Sequence, residues 1–145
     1  MKGLDAVKAV GLAVLIMALN LGLAFAAVFV YATLVAPGRP QAFYTAAAPA
    51  IAGWSAPFGG ALMFLAATWL LARRRPERDG LRFAGMAWLS YVIIDVVSGA
   101  ASGSVQAILS VQMAGSMGLA LLGALGGAAL AKSKPKSKSH APTGA

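Results

Sequence analysis

The chain contains no cysteine. That excludes disulfide bridges, thiolate catalysis and cysteine-held zinc. Its single histidine, His140, lies in a polar tail, which excludes a histidine-built metal site and a Ser–His nucleophile as well. Acidic residues are equally scarce, with only 4 Asp and Glu against 12 Lys and Arg. Charged residues of both signs make up 11% of the chain, where a soluble domain carries about 25%. No nucleotide loop or metal-ligand cluster occurs. The expectation is a protein that is not an enzyme, has no cofactor and has no metal.

What is present is apolar. Hydrophobic residues make up 59% of the chain, and its mean hydropathy is +0.77. A surface of this kind calls for lipid as its solvent. The net charge of +8 could suggest nucleic acid, but the placement of the charges argues otherwise. Lys2, Lys8, Arg73, Arg74, Arg75, Arg78, Arg82, Lys132, Lys134, Lys136 and Lys138 flank hydrophobic segments, where they orient a chain in a bilayer. Nucleic acid is therefore not an expected partner, because base readout needs a basic folded polar surface. The lipid bilayer is the expected one.

Four apolar segments define an all-α membrane domain over residues 1–131, an antiparallel four-helix bundle, followed by a basic tail at 132–145 that should be disordered. The first span runs from about Ala9 to Val35, longer than the roughly 20 residues that cross the hydrocarbon core, so it should tilt or extend beyond it. Lys2, Lys8 and Ala24-Phe25-Ala26 resemble a signal peptide, but the apolar run continues through Val28-Phe29-Val30-Tyr31, which favours a retained span. Ala36-Pro37-Gly38-Arg39-Pro40 is a breaker. Gln41 to Thr45 reads as a short interfacial stretch, and the second span as about Ala50 to Ala72, with Pro57 breaking or kinking it. The polar loop from Arg73 to Arg82 leads to a third span, about Phe83 to Ala101. The loop Ser102-Gly103-Ser104 is short, and the fourth span follows, about Gln106 to Ala131. Every Lys and Arg except Arg39 then falls on one side. The positive-inside rule places both termini in the cytoplasm of a multi-pass cell-membrane protein, the inner membrane if the source is bacterial.

Asp95 is the only acidic residue inside a span. A charge there costs about 2.5 to 3.5 kcal/mol on insertion scales. The carboxyl should therefore be neutral, paired or facing a water-filled cavity, and no Lys or Arg lies at matching depth to pair with it. Trp88, Tyr91, Asp95, Ser98 and Ser102 follow steps of three and four and share one helix face. That face should turn into the bundle. A rise of about 1.5 Å per residue puts Asp95 roughly 10 Å inside the outer boundary, near Gln112, Ser55 and Tyr31, with Asn20 deeper beside Tyr91 and Ser116. These are its candidate hydrogen-bond partners.

Two roles fit. Asp95 is a proton or cation site in a small transporter, or it is protonated and bonds across helices to hold the bundle together. Pro57-Phe58-Gly59-Gly60 could open the second helix near the same depth, as transporters do at substrate sites, although Gly and Pro are also ordinary in membrane helices. Small residues recur at spacing four in Ala18, Gly22 and Ala26, in Ser116, Ala120, Ala124 and Ala128, and in Gly123, Gly127 and Ala131. Such rows pack helices within one chain, or against a second copy or a membrane-protein partner. In length and number of spans the chain is similar to the small multidrug-resistance transporters. Those carry their key carboxylate in the first span, where this chain has none, so the likeness is of architecture alone. The residues leave open a small ion-coupled transporter and a non-catalytic accessory or assembly protein.

Overall fold

The computed structural model describes residues 3–77, 79–103 and 110–133. Among them four helices form a bundle, each long and apolar enough to cross a membrane, and there is no strand. They are α1 (Gly3–Val30, closed by a π-helical turn Tyr31–Val35), α2 (Gln41–Arg74), α3 (Gly80–Ala101) and α4 (Val111–Lys132). Helices are the form such sequences must take in lipid, because each backbone N–H and C=O then finds its partner within the segment. Large apolar side chains such as Leu15, Phe25, Phe29, Leu62, Ile93 and Leu122 point outward. In lipid that outward face needs no polar cover.

The two hairpins differ in length. α2 has 34 residues, about 51 Å at 1.5 Å per residue. α3 and α4 have 22 each, about 33 Å, close to the hydrocarbon thickness of about 30 Å. The interfacial stretch expected at Gln41 to Thr45 is the first turn of α2 instead. Pro40 sits in extended backbone at the N-cap and starts the helix, a place where its missing N–H costs nothing. The helix continues through both Pro49 and Pro57 without a break, contrary to the interruption the sequence suggests. The α1–α2 turn is fastened by Tyr44. Its hydroxyl donates to the Ala36 carbonyl at 2.7 Å and accepts from the Arg39 N–H at 3.0 Å. Gly38 takes a φ of +75° in this turn, a conformation glycine adopts freely.

Side-chain caps set two helix starts. Asp79 accepts from the Arg82 N–H at 3.3 Å and pairs with the Arg82 guanidinium at 3.0 Å, opening α3. Ser110 accepts from the Met113 N–H at 3.1 Å, opening α4 at Val111. The start at about Gln106 expected from hydropathy lies outside the described residues. Ser104, residues 106–109 and the tail from 134 onward lie outside the described residues.

The core is built from small residues. Ala9, Ala13, Ala84, Ala87, Ala120, Ala124 and Ala128 are buried, with Ile16 and Phe64 the largest fully enclosed apolar side chains. α2 and α4 run in the same direction and form the tightest seam. A Cβ on Gly123 would collide with the Ala61 carbonyl, and one on Gly127 with the Leu65 carbonyl and the Thr68 hydroxyl. The backbones meet because nothing stands between them. The Thr68 hydroxyl lies 2.7 Å from the Phe64 carbonyl on its own helix and 2.9 Å from the Ala124 carbonyl across the seam. Trp88 Nε1 donates to the Met117 carbonyl at 2.9 Å, tying α3 to α4. The fourth-span rows thus pack within the chain. Ala18, Gly22 and Ala26 on α1 are exposed, and a Cβ on Gly22 would meet only open space.

Candidate functional site

Toward the end of the bundle where α1 and α3 finish and α2 and α4 begin, the helices separate enough to leave a cleft of about 320 Å³. All four helices line it. α1 contributes Asn20, α2 Ala52, Gly53, Ala56, Pro57 and Gly60, α3 Tyr91 and Asp95, and α4 Gln112, Met113, Ser116 and Ala120, with Ser110 at its cap. Steps of four bring Tyr91 and Asp95 to the same side of α3. The Tyr91 ring is held edge-on against Phe64, with centroids 5.3 Å apart, and Asn20 of α1 lines the cleft with it. Gly59 and Gly60 allow Asn20 to lie close to α2. The Asn20 oxygen is 3.2 Å from where a Cβ on Gly59 would stand, and its nitrogen is 3.6 Å from that of Gly60.

Asp95 is half-buried and makes no hydrogen bond or ion pair among the described residues. Gln112, expected as its partner, bonds elsewhere. Its Nε2 donates to the Gly53 carbonyl at 3.2 Å. The reason lies four residues along α2. Pro57 has no N–H, so the Gly53 carbonyl loses its helical partner, and Gln112 supplies a replacement from α4. Gly53 must be small for this, since a Cβ there would stand 2.6 Å from Gln112 Nε2. Pro57 therefore leaves the helix continuous and instead creates a polar contact between helices at the mouth of the cleft.

This contact yields a measurable pair of effects. Gln112→Ala should lower stability by about 1 kcal/mol, because it orphans the Gly53 carbonyl. In a Pro57→Ala background the restored N–H satisfies that carbonyl, and Gln112→Ala should then cost almost nothing. Melting temperatures of the four proteins in mild detergent close the cycle. Equal costs of Gln112→Ala in both backgrounds would refute the compensation.

Of the residues expected at the site, Asn20, Tyr91, Asp95 and Gln112 line the cleft, and Ser116 joins them. Ser98, Ser55 and Tyr31 do not. Ser98 occupies the same angular face as Asp95 but is exposed. It lies a turn further out, where α3 has lost the packing that covers its inner half. Ser55 is on α2 with its hydroxyl buried and unbonded, outside the cleft lining. Tyr31 stacks on Phe43 with centroids 6.4 Å apart. Counting from Asn20, which meets Tyr91, puts Tyr31 about 16 Å outward and Asp95 only about 6 Å. The depth estimate for Tyr31 fails because the first hairpin overhangs the second. Sequence reasoning missed Gly53, Met113 and Ser110. Only Gly53 carries a signal, through the proline four residues after it.

Comparison with known protein families, curated proteins and solved structures finds no match to this chain. The functional argument therefore rests on the cleft.

Proposed function

We propose that this is a multi-pass, non-enzymatic membrane protein that binds a proton or a cation at Asp95, as a small ion-coupled transporter does. One observation carries the reading: the lone intramembrane carboxyl lines a cleft between the four helices and has no hydrogen-bond or ion-pair partner among the described residues. A carboxyl serving only to join helices would be bonded across an interface. A carboxylate at a cavity inside a membrane protein is in addition a functional site by default. Ionised, Asp95 attracts a cation. Protonated, it releases it, and the neutral form costs far less in a low-dielectric setting. Proton and cation thus compete for one group, which is the elementary requirement of exchange. The test is reconstitution into vesicles carrying an internal pH indicator. With Na⁺ or K⁺ supplied as the counter-cation, an imposed proton gradient should drive proton movement that the wild-type protein supports and Asp95→Asn does not. Proton movement identical to that of protein-free vesicles would overturn the proposal.

A second reading draws on α1. Among the described residues nothing packs over the exposed row Ala18, Gly22 and Ala26, which suits a second copy or a membrane-protein partner. A pull-down in mild detergent distinguishes the two, and Gly22→Leu should abolish any association made through this face.

The inner ends of the four helices meet at one side: the start of α1, the loop between α2 and α3, and the end of α4. Charge placement leads us to put that side in the cytoplasm of a cell membrane. At this end Arg73 lies 4.7 Å over the Trp69 ring, a pairing suited to the headgroup zone. A reporter enzyme fused after Lys138 should be active only in the cytoplasm, and activity outside it would refute the orientation.

A further inference from the structure

We propose that the corner where α2 ends and α3 begins binds the headgroup of an anionic phospholipid, a site independent of the reading of Asp95. Three helices meet there. A Cβ on Gly80 would stand 3.2 Å from the Ala72 Cβ and 3.8 Å from the Ala128 Cβ, so the start of α3 lies against both α2 and α4. Arg73, Arg74 and Arg75 follow Ala72 directly, Arg82 follows Gly80 by two residues, and Lys132 follows Ala128 by one turn. All of these cations are exposed. The acidic residues beside them are Glu77 and Asp79, and Asp79 is engaged by Arg82 at 3.0 Å. Arg73, Arg74, Arg75 and Lys132 form no ion pair among the described residues. Positive charge is therefore gathered at one corner and left largely unbalanced.

Position selects a lipid over a water-borne anion. Arg73 does not extend from the end of α2 into water. Its guanidinium lies 4.7 Å over the ring of Trp69, one turn back along the helix. Stacking thus holds the charge at the level where Trp sits in a bilayer, among the headgroups. The planar guanidinium presents paired N–H groups that match phosphate oxygens. In the adjoining turns Leu70, Leu81 and Leu130 are exposed, an apolar footing for acyl chains that a free phosphate cannot use.

Headgroup charge selects among lipids. A choline headgroup carries a cation of its own, which clustered Arg and Lys repel, whereas a glycerol headgroup leaves the phosphate charge unbalanced and attractive to each basic side chain. The opposite end of the bundle offers no equivalent. Arg39 stands 5.6 Å over the Phe43 ring, but the remaining Lys and Arg belong to the other end. Lys8 is on the same end as the corner, on α1, which packs chiefly on α2 and α3 and not on α4. These two residues are the controls.

The experiment is native mass spectrometry of the full-length protein in mild detergent with equimolar dioleoyl phosphatidylglycerol and dioleoyl phosphatidylcholine. The expected result is one phosphatidylglycerol retained per chain, at least about fivefold in preference to phosphatidylcholine. Arg73→Gln replaces an exposed side chain and should reduce that preference at least about threefold. Lys132→Gln, on another helix, should also lower it and is an independent second variant. Lys8→Gln and Arg39→Gln should leave it unchanged. Excess glycerol 3-phosphate should not displace the lipid. Equal retention of the two lipids would overturn the proposal. A loss with Lys8→Gln as large as that with Arg73→Gln would also overturn it, because attraction would then be spread over the whole basic end. Displacement by glycerol 3-phosphate would show a site for a soluble phosphate instead.

Discussion

Gly127→Leu is expected to dismantle the bundle. The seam between α2 and α4 has no room at this position, because the first added carbon already meets the Leu65 carbonyl and the Thr68 hydroxyl. Backbone cannot rotate aside as a side chain can. Overpacking a tight core costs about 1 to 3 kcal/mol for small additions, and an isobutyl group forces the helices apart along their length. The separation would also break the bond from Thr68 to the Ala124 carbonyl. Gly123→Leu should behave alike, since a Cβ there meets the Ala61 carbonyl. The control is Gly118→Leu on the same helix, where a Cβ would meet nothing within 4 Å. That variant should accumulate and melt like wild type. Membrane yield and detergent melting curves decide the matter. Tolerance of Gly127→Leu would mean that α2 and α4 do not pack as described.

Asp95→Asn should separate folding from function. Asparagine keeps the size and much of the hydrogen-bonding capacity of the carboxyl but cannot carry its charge or its proton. Asp95 has no bonded partner among the described residues, so the substitution removes no contact. It also removes the chance of ionisation in the membrane, worth about 2.5 to 3.5 kcal/mol on insertion scales. The variant is expected to insert at wild-type yield and to melt at or above the wild-type temperature. The proton movement proposed to depend on Asp95 should fall to the level of protein-free vesicles. Asp95→Ala should fold equally well. Gln112, which depth alone would pair with Asp95, keeps its bond to the Gly53 carbonyl. A failure of Asp95→Asn to accumulate would show instead that the ionised carboxylate is part of the folded structure.

These expectations depend on different kinds of information. That Asp95 is costly in its surroundings is visible in the string Tyr91-Val92-Ile93-Ile94-Asp95-Val96-Val97, since no later packing changes the hydrophobicity of its neighbours. Its company with Tyr91 follows from helical spacing. Its company with Asn20 comes through Tyr91, which depth places beside Asn20 one turn further in. Tyr31 and Gln112 show where that reasoning ends. Depth counted from a loop assumes that all helices end at one plane, and α1 and α2 overhang the other pair. Hydrogen-bond partners depend on which group in three dimensions lacks one. The Gly53 carbonyl lacks one because of Pro57, and it draws Gln112 away from the carboxyl.

The sequence by itself determined the membrane as solvent, four helical crossings, and a single carboxyl among apolar residues. Each follows from composition and periodicity over windows as long as the bilayer is thick, where local transfer energies add up and dominate. Only the tertiary structure decided which small residues became a seam. Gly123 and Gly127 on α4 press against the α2 backbone, while Gly22 on α1, in a similar row, faces outward. Spacing marks where two helices can approach closely, but which pair does so depends on the packing of all four together. The cleft arises for the same reason. Asn20, Gly53, Asp95 and Gln112 are remote in the chain, and they meet because small residues draw the inner halves of the helices together while the outer halves leave a space.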